Sequence, residues 1–236
     1  MSETEKSLME TIEEDAGKKS GSSQINITDL PPELLLEIFS WLGVRDLYER
    51  VPLVCKKWDI LARHPSLWME LSFRYKDIPT SLACKLLHRS PLLRRLILKR
   101  RRDSDAILRQ VYKSNRRIET IKMISCRGSM RKKEVNGNIL KGILEVCPKL
   151  FNLELMDTLV KTSQFYRLLG HLDGRLKSFR IDDATENGVR CYLETRTQLL
   201  LERRGLLNGE FKDVEDMIDM LEKCPKIYRW DFIFTE

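Results

Sequence analysis

No apolar run in this 236-residue chain approaches the roughly 18 residues of a membrane-spanning helix, and 33% of its residues are charged, so the sequence reads as that of a soluble protein. Its start, Met1 to Glu5, is acidic and leads into no apolar stretch, unlike a secretory signal, which predicts a cytosolic or nuclear protein. Closely spaced cysteines are also missing. The six stand at 55, 84, 126, 147, 191 and 224, without the spacing of a zinc knuckle or a redox pair. Cys55, Cys147 and Cys224 fall in or at the ends of helical patterns, where a small buried thiol is an ordinary occupant. The three histidines, His64, His88 and His171, lie far apart with no nucleophile motif beside them, and there is no phosphate-cradling glycine loop. Catalysis, a metal and a cofactor are therefore not expected.

What is abundant is charge, unevenly placed. The formal net charge is +7, yet residues 1 to 24 hold six acids and three lysines, so the basic excess belongs to the rest of the chain. That first segment ends in a polar run from Lys18 to Ser23 with nothing to bury, and is expected to be a disordered tail. Arg94, Arg95 and Lys99 to Arg102 put six cations into nine residues, followed by Arg116 and Arg117. Such a cluster raises nucleic-acid binding or nuclear import, but no aromatics are interleaved with it and no nucleic-acid fold surrounds it. Charge in a strand-to-helix loop is expected to serve solvation.

From residue 25 to about 72 the chain reads as three short helices. Thr28 or Asp29 is placed to cap the first, with Pro31, Pro32 and Glu33 in its opening turn and Gly43 closing it. Leu34, Ile38 and Leu42 form one stripe at i, i+4 and i+8, while Leu35, Leu36 and Phe39 are apolar on other sides, so this helix is greasier than one core face requires. A second helix is expected near Arg45 to Leu47, and Pro52 is placed to open a third carrying Val54, Cys55, Trp58 and Leu61. So much apolar surface on fewer than 50 residues calls for a partner.

The run Leu30-Pro31-Pro32-Glu33-Leu34-Leu35-Leu36-Glu37-Ile38-Phe39, then Leu42, Asp46-Leu47, Val54 to Trp58 and Pro65-Ser66-Leu67-Trp68, resembles an F-box, with about one extra residue between Asp46 and Val54. The resemblance implies docking onto the Skp adaptor of a cullin ubiquitin ligase. It also implies that Leu30, Pro31, Leu34, Ile38, Leu42, Val54 and Trp58 make or support the adaptor-facing surface. It further implies a non-catalytic subunit, other subunits performing the covalent chemistry.

Residues 73 to 236 show an internal period. The pattern apolar-x-x-apolar-x-apolar begins at Leu93, Ile118, Leu150, Leu176 and Ile227, each time after a stretch of helical period, the last being Val214 to Leu221. This predicts an α/β solenoid of short parallel strands alternating with helices, with one more repeat inside 183–211. Cys147-Pro148, Cys224-Pro225 and Cys126 beside the strands resemble the cysteine-bearing leucine-rich repeats often joined to F-boxes, although the asparagine usual after the strand is missing. Alternation would expose Arg95, Ile97 and Lys99; Thr120, Lys122 and Ile124; Asn152, Glu154 and Met156; Ser178, Arg180 and Asp182; and Arg229, Asp231 and Ile233. Of these, Arg95, Ile97, Lys99, Lys122, Ile124, Glu154, Met156 and Arg180 are the candidate contacts for a protein target, acidic or phosphorylated. The resulting expectation is a ligase adaptor, with the tail at 1–24, the F-box at 25–72 and the repeats at 73–236. The alternative is a basic nuclear or nucleic-acid-binding scaffold whose F-box-like helices serve protein association.

Overall fold

A computed structural model of the chain describes residues 26–172, 175–181, 186–203 and 230–232. The expected tail, the helical stretch Val214 to Leu221, Cys224 with Pro225, and Asp182, Arg229 and Ile233 lie outside the described residues. The chain divides into two units, one ending at Trp68 and the other beginning at Met69.

The first unit contains helices α1 (Pro32–Ser40), α2 (Val44–Glu49) and α3 (Lys56–Ala62), with 3-10 turns at Ile27–Asp29, Val51–Leu53 and Pro65–Trp68. Its buried core is Leu35 and Phe39 from α1, Leu47 from α2, Val51, and Leu61 and Ala62 from α3. Burial of a side chain such as Leu35 or Phe39 stabilises by about 2 kcal/mol. Leu30, Leu36, Trp58, Leu67 and Trp68 pack around that core, and the Phe39 and Trp58 rings meet edge to face at 5.0 Å. Lys57 Nζ, on α3, donates to the carbonyls of Thr28 and Leu30, both at 2.9 Å, and so ties the leading turn to the last helix.

Three local expectations are corrected here. Neither Thr28 nor Asp29 caps α1, whose N-cap is Pro31; Asn26 instead caps the leading 3-10 turn, with the Asp29 carboxylate accepting back from its amide. Gly43 is the N-cap of α2 rather than a left-handed terminator of α1, because the chain leaves α1 through Trp41 with ordinary helical angles. Pro52 sits in its own 3-10 turn, and Cys55 at φ −164° interrupts the helical path, so Val54 and Cys55 precede α3.

The second unit is a six-stranded, wholly parallel sheet in sequential order, each strand followed by a helix up to α8. The strands are β1 (Glu70–Arg74), β2 (Arg95–Lys99), β3 (Thr120–Ile124), β4 (Asn152–Met156), β5 (Ser178–Ile181) and β6 (Trp230–Phe232). The helices are α4 (Thr80–Arg89), α5 (Ser104–Ser114), α6 (Gly137–Val146), α7 (Ser163–His171) and α8 (Glu186–Arg203). Register puts like positions in rows. Leu71, Leu96, Ile121, Leu153 and Phe179 form one buried row, and Phe73, Leu98, Met123, Leu155 and Ile181 the next. Each helix turns a stripe at i, i+3 or i+4 toward these rows, for example Ile107, Leu108 and Val111 on α5.

β1 was not anticipated. Residues 70–72, expected in the first module, pair with β2 in the register of the other strands. Only Leu71 and Phe73 betray the alternation, too short a pattern to separate from the preceding Leu67-Trp68. The additional repeat expected inside 183–211 is also corrected, since β5 pairs directly with β6 and leaves no place for a strand between them. Among the described residues of that stretch, Val189, Tyr192 and Leu193 belong to α8 and, with Arg196 and Thr197, are buried at helical spacing.

Hydrogen bonds repeat along with the strands. The carbonyl of Met69 accepts from the amides of Arg94 and Arg95, that of Arg94 from Glu119 and Thr120, that of Glu119 from Phe151 and Asn152, and that of Phe151 from Lys177 and Ser178. At the helix ends a second ladder links repeats through side chains. Asn115 Nδ2 donates to the carbonyls of Leu87 (3.1 Å) and Ser90 (2.7 Å), Cys147 Sγ to that of Asn115 (3.2 Å), and Arg175 Nη2 to those of Leu144 and Cys147.

Candidate functional site

The first unit keeps a hydrophobic face uncovered. Along α1, Leu35 and Phe39 are wholly buried, whereas Leu34, Ile38 and, just past the helix, Leu42 are exposed on their own stripe. Pro31 and Val54 are exposed, and Leu30 and Trp58 are half-buried against the core. Trp58 Nε1 is buried without a hydrogen-bond partner. Two residues that the sequence reading does not single out are the most open large hydrophobics among the described residues: Trp41 and Leu53, each 82% exposed. Trp41 lies three residues beyond Ile38, so the stripe itself carried the signal. Leu53 offered no periodic cue, because its exposure depends on the separate 3-10 turn.

On the second unit the outer face of the sheet carries three rows. These are Glu70, Arg95, Thr120, Asn152 and Ser178; then Ser72, Ile97, Lys122, Glu154 and Arg180; then Arg74, Lys99, Ile124 and Met156. The eight residues singled out from the sequence thus share one surface. Two of its cations are paired across strands: Arg95 Nη1 lies 3.1 Å from Glu70 Oε2, and Lys122 Nζ lies 2.6 Å from Glu154 Oε2.

Beyond the carboxyl ends of β1 to β4 lies a groove of about 570 Å³. Six cations line it, Arg74, Lys76, Arg100, Arg102, Arg127 and Lys133, against the carboxylates of Asp77 and Asp157. Arg74 faces Asp77 at 3.9 Å; among the described residues the other five cations form no ion pair. Arg101, read from the sequence as a solvated loop charge, is instead completely buried. Its Nε and Nη2 donate to Asp103 at 2.9 and 2.5 Å, and its Nη1 to the carbonyls of Arg74 (3.2 Å) and Ile78 (2.6 Å). The neighbours Arg100 and Arg102 stay outside, and the Arg102 guanidinium lies over the Tyr75 ring.

The five described cysteines are free, and burial pushes the thiols of Cys84, Cys126 and Cys147 above their ordinary range. Among the described residues no group of histidines, cysteines and carboxylates is placed to hold a metal, and no helix is long and apolar enough to cross a membrane.

The two units define a class: a small helical domain followed by a parallel strand-and-helix unit consistent with a leucine-rich-repeat solenoid. Residues 27–74 match the F-box-like family model, and the chain carries an F-box-like domain there. It is 46% identical over 65 residues to F-box/LRR-repeat protein 5 of Xenopus tropicalis, covering 28% of this chain and 9% of that protein. It is 43% identical over 54 residues to F-box DNA helicase 1 of Gallus gallus, covering 22% and 5%. With the putative F-box/LRR-repeat protein 21 of Arabidopsis thaliana it shares 37% over 49 residues, covering 21% and 16%. The chain thus spans less than a fifth of the length of each of these relatives. Among solved structures, leiomodin-1 actin-binding site 2 aligns with 70% of this chain and 94% of its own at 10% identity, with a TM-score of 0.40.

Proposed function

We propose that this chain is a non-catalytic, substrate-recruiting subunit of a Skp-cullin-F-box ubiquitin ligase, working in the cytosol or nucleus. The F-box-like unit docks a Skp-type adaptor, and the repeat unit holds a target protein, so that the chain supplies proximity while other subunits transfer ubiquitin. The observation that carries this reading is the exposed stripe Leu34, Ile38 and Leu42 on a helix whose other face already fills its own core. An apolar face left open on so small a domain is a docking surface for another protein.

The test is the double change Leu34→Ala and Ile38→Ala in the full chain. Neither residue belongs to the buried core, so the fold should persist while adaptor binding loses about 3 kcal/mol of apolar contact, more than a hundredfold in Kd. Adaptor capture undiminished by both changes would remove the mechanism.

A further inference from the structure

We infer that Ser129, at the tip of the connection between β3 and α6, is a phosphorylation site for a serine/threonine kinase with an acidic substrate cleft. The inference goes beyond the ligase reading and does not depend on it. Among the described residues, three serines have three cations within three positions of them. Ser114 has Lys113, Arg116 and Arg117; Ser129 has Arg127, Arg131 and Lys132; Ser178 has Arg175, Lys177 and Arg180. Ser104 follows directly on Arg101, Arg102 and Asp103. The sequence puts all four on a par, because a cleft lined with carboxylates pairs with flanking cations wherever they occur. The fold separates them.

A kinase aligns the substrate hydroxyl with the γ-phosphorus of ATP while the residues on either side lie along its cleft, so the segment has to leave the body of its own protein. Ser104 is wholly buried. Ser114 is the last residue of α5, and its hydroxyl accepts from Gln110 Nε2 at 2.6 Å. Pulling it out drags Asn115 off the carbonyls of Leu87 and Ser90. Ser178 is exposed, but β5 lies between β4 and β6, and lifting it brings the buried Phe179 and Ile181 into water.

Opening at Ser129 disturbs no such packing. The Ser129 amide donates to the Lys132 carbonyl at 3.2 Å, and the Lys132 amide donates to the Ser129 carbonyl at 3.3 Å and to its Oγ at 3.1 Å, so the turn closes on itself. Beyond the turn, the Tyr75 hydroxyl donates to Met130 Sδ, a weak acceptor, at 3.6 Å. The fixed points lie to either side. The Asp105 amide donates to the Gly128 carbonyl at 3.0 Å, the Val135 amide to that of Leu159 at 2.8 Å, and the Asn136 amide to Asp105 Oδ1 at 2.9 Å. Residues 129–134 therefore open locally between two anchors, without unfolding the repeats. Glu134 meets Lys161 at 3.8 Å, an exposed pair that adds little to the closed form. Met130 is 66% exposed, and Arg127, Arg131, Lys132 and Lys133 are exposed as well, so the flanking charges already face the solvent from which a kinase would approach.

In the reaction Ser129 Oγ attacks the γ-phosphorus of magnesium-bound ATP, the bond from that phosphorus to the bridging oxygen of ADP breaks, and the hydroxyl proton passes to the kinase's base. ADP leaves, and the serine ester carries close to two negative charges and three acceptor oxygens. Arg127, Arg131, Lys132 and Lys133 stand within four residues of it and offer charged donors to those oxygens. The product group thus tightens the tip that had to open to receive it.

The experiment treats the native full chain with magnesium-ATP and the catalytic domain of a protein kinase C, a basic-directed enzyme, and in parallel with an acid-directed kinase of the casein-kinase type. Site occupancy is read by mass spectrometry. The basic-directed enzyme should label Ser129 at least about tenfold faster than Ser104, Ser114 or Ser178, because those three need wider unfolding. In synthetic peptides spanning each serine that preference should shrink to within about threefold, since no fold then withholds any of them. The acid-directed enzyme should leave Ser129 unmodified. Ser129→Ala should remove the label from residues 124–135 and Ser129→Thr should keep it, and either change spares the anchors on both sides of the tip. Within residues 69–181, trypsin should cut the unmodified chain first after Arg131, Lys132 or Lys133, and phosphorylation should slow that cut. Labelling of a peptide of residues 124–135 but not of the native chain overturns the proposal, because the fold then withholds Ser129 too. So does failure to label that peptide, native labelling of Ser114 or Ser178 as fast as Ser129, or equal labelling of Ser129 by both kinases.

Discussion

Arg101 shows how one residue can reverse the meaning of its neighbourhood. In the sequence it is the third cation in a run of four, and such runs belong to solvated surface; in the fold it is the largest fully buried side chain among the described residues, with every nitrogen of its guanidinium donating. Desolvating it costs several kcal/mol, which these four hydrogen bonds, two of them to a carboxylate, offset. Asp103→Ala should therefore destabilise the repeat unit by about 3–5 kcal/mol, since it strands a buried charge. The pair Arg101→Met with Asp103→Leu should cost clearly less, and urea unfolding of the three proteins checks the order. Gly128 is a second residue-scale requirement. A Cβ there would lie 2.3 Å from the Glu134 carbonyl oxygen, so no side chain fits without moving the loop that carries Arg127 and Lys133.

At the scale of elements, the helices of the repeat unit end on one another's carbonyls. Asn115, Cys147 and Arg175 each close the helix end of the preceding repeat, which replaces the water those carbonyls would otherwise need. Asn115→Ala leaves the buried Leu87 and Ser90 carbonyls without this donor and should cost about 2–3 kcal/mol by denaturant unfolding. An effect under about 0.5 kcal/mol would mean that the ladder is incidental. The asparagine sought after the strand was thus absent there, while Asn115 performs an inter-repeat bond after a helix. Sequence period located these helices because their buried stripes repeat at i, i+3 and i+4. It could not locate the ladder, whose partners lie 25 to 32 residues apart.

For the whole molecule, pH dependence follows from the buried thiols. Burial holds Cys84, Cys126 and Cys147 above their unfolded range, so in alkali the unfolded chain loses protons that the folded chain keeps. The stability they contribute is complete below the unfolded thiol pKa of about 8.5 and is lost as pH rises through the folded values. The unfolding midpoint should fall as pH rises above about 8.5, and replacing Cys126 and Cys147 with alanine should flatten that fall. The same burial should leave those two thiols slow to alkylate in the native state.

The sequence alone determined the apolar stripe of α1 and the strand-and-helix alternation of β2 to β5. Both rest on local period, and a 3.6-residue or two-residue repeat is written directly into the order of the side chains. The F-box resemblance, carried from Leu30 to Trp68, belonged to the same local level. Only the tertiary structure decided which charges are free. Lys122 and Glu154 meet through strand register, Arg101 sinks beneath the segment from Arg74 to Ile78, and Arg100, Arg127 and Lys133 converge because three loops end at one level. Coulomb energy depends on distances set by long-range packing, and no local pattern in the chain encodes them.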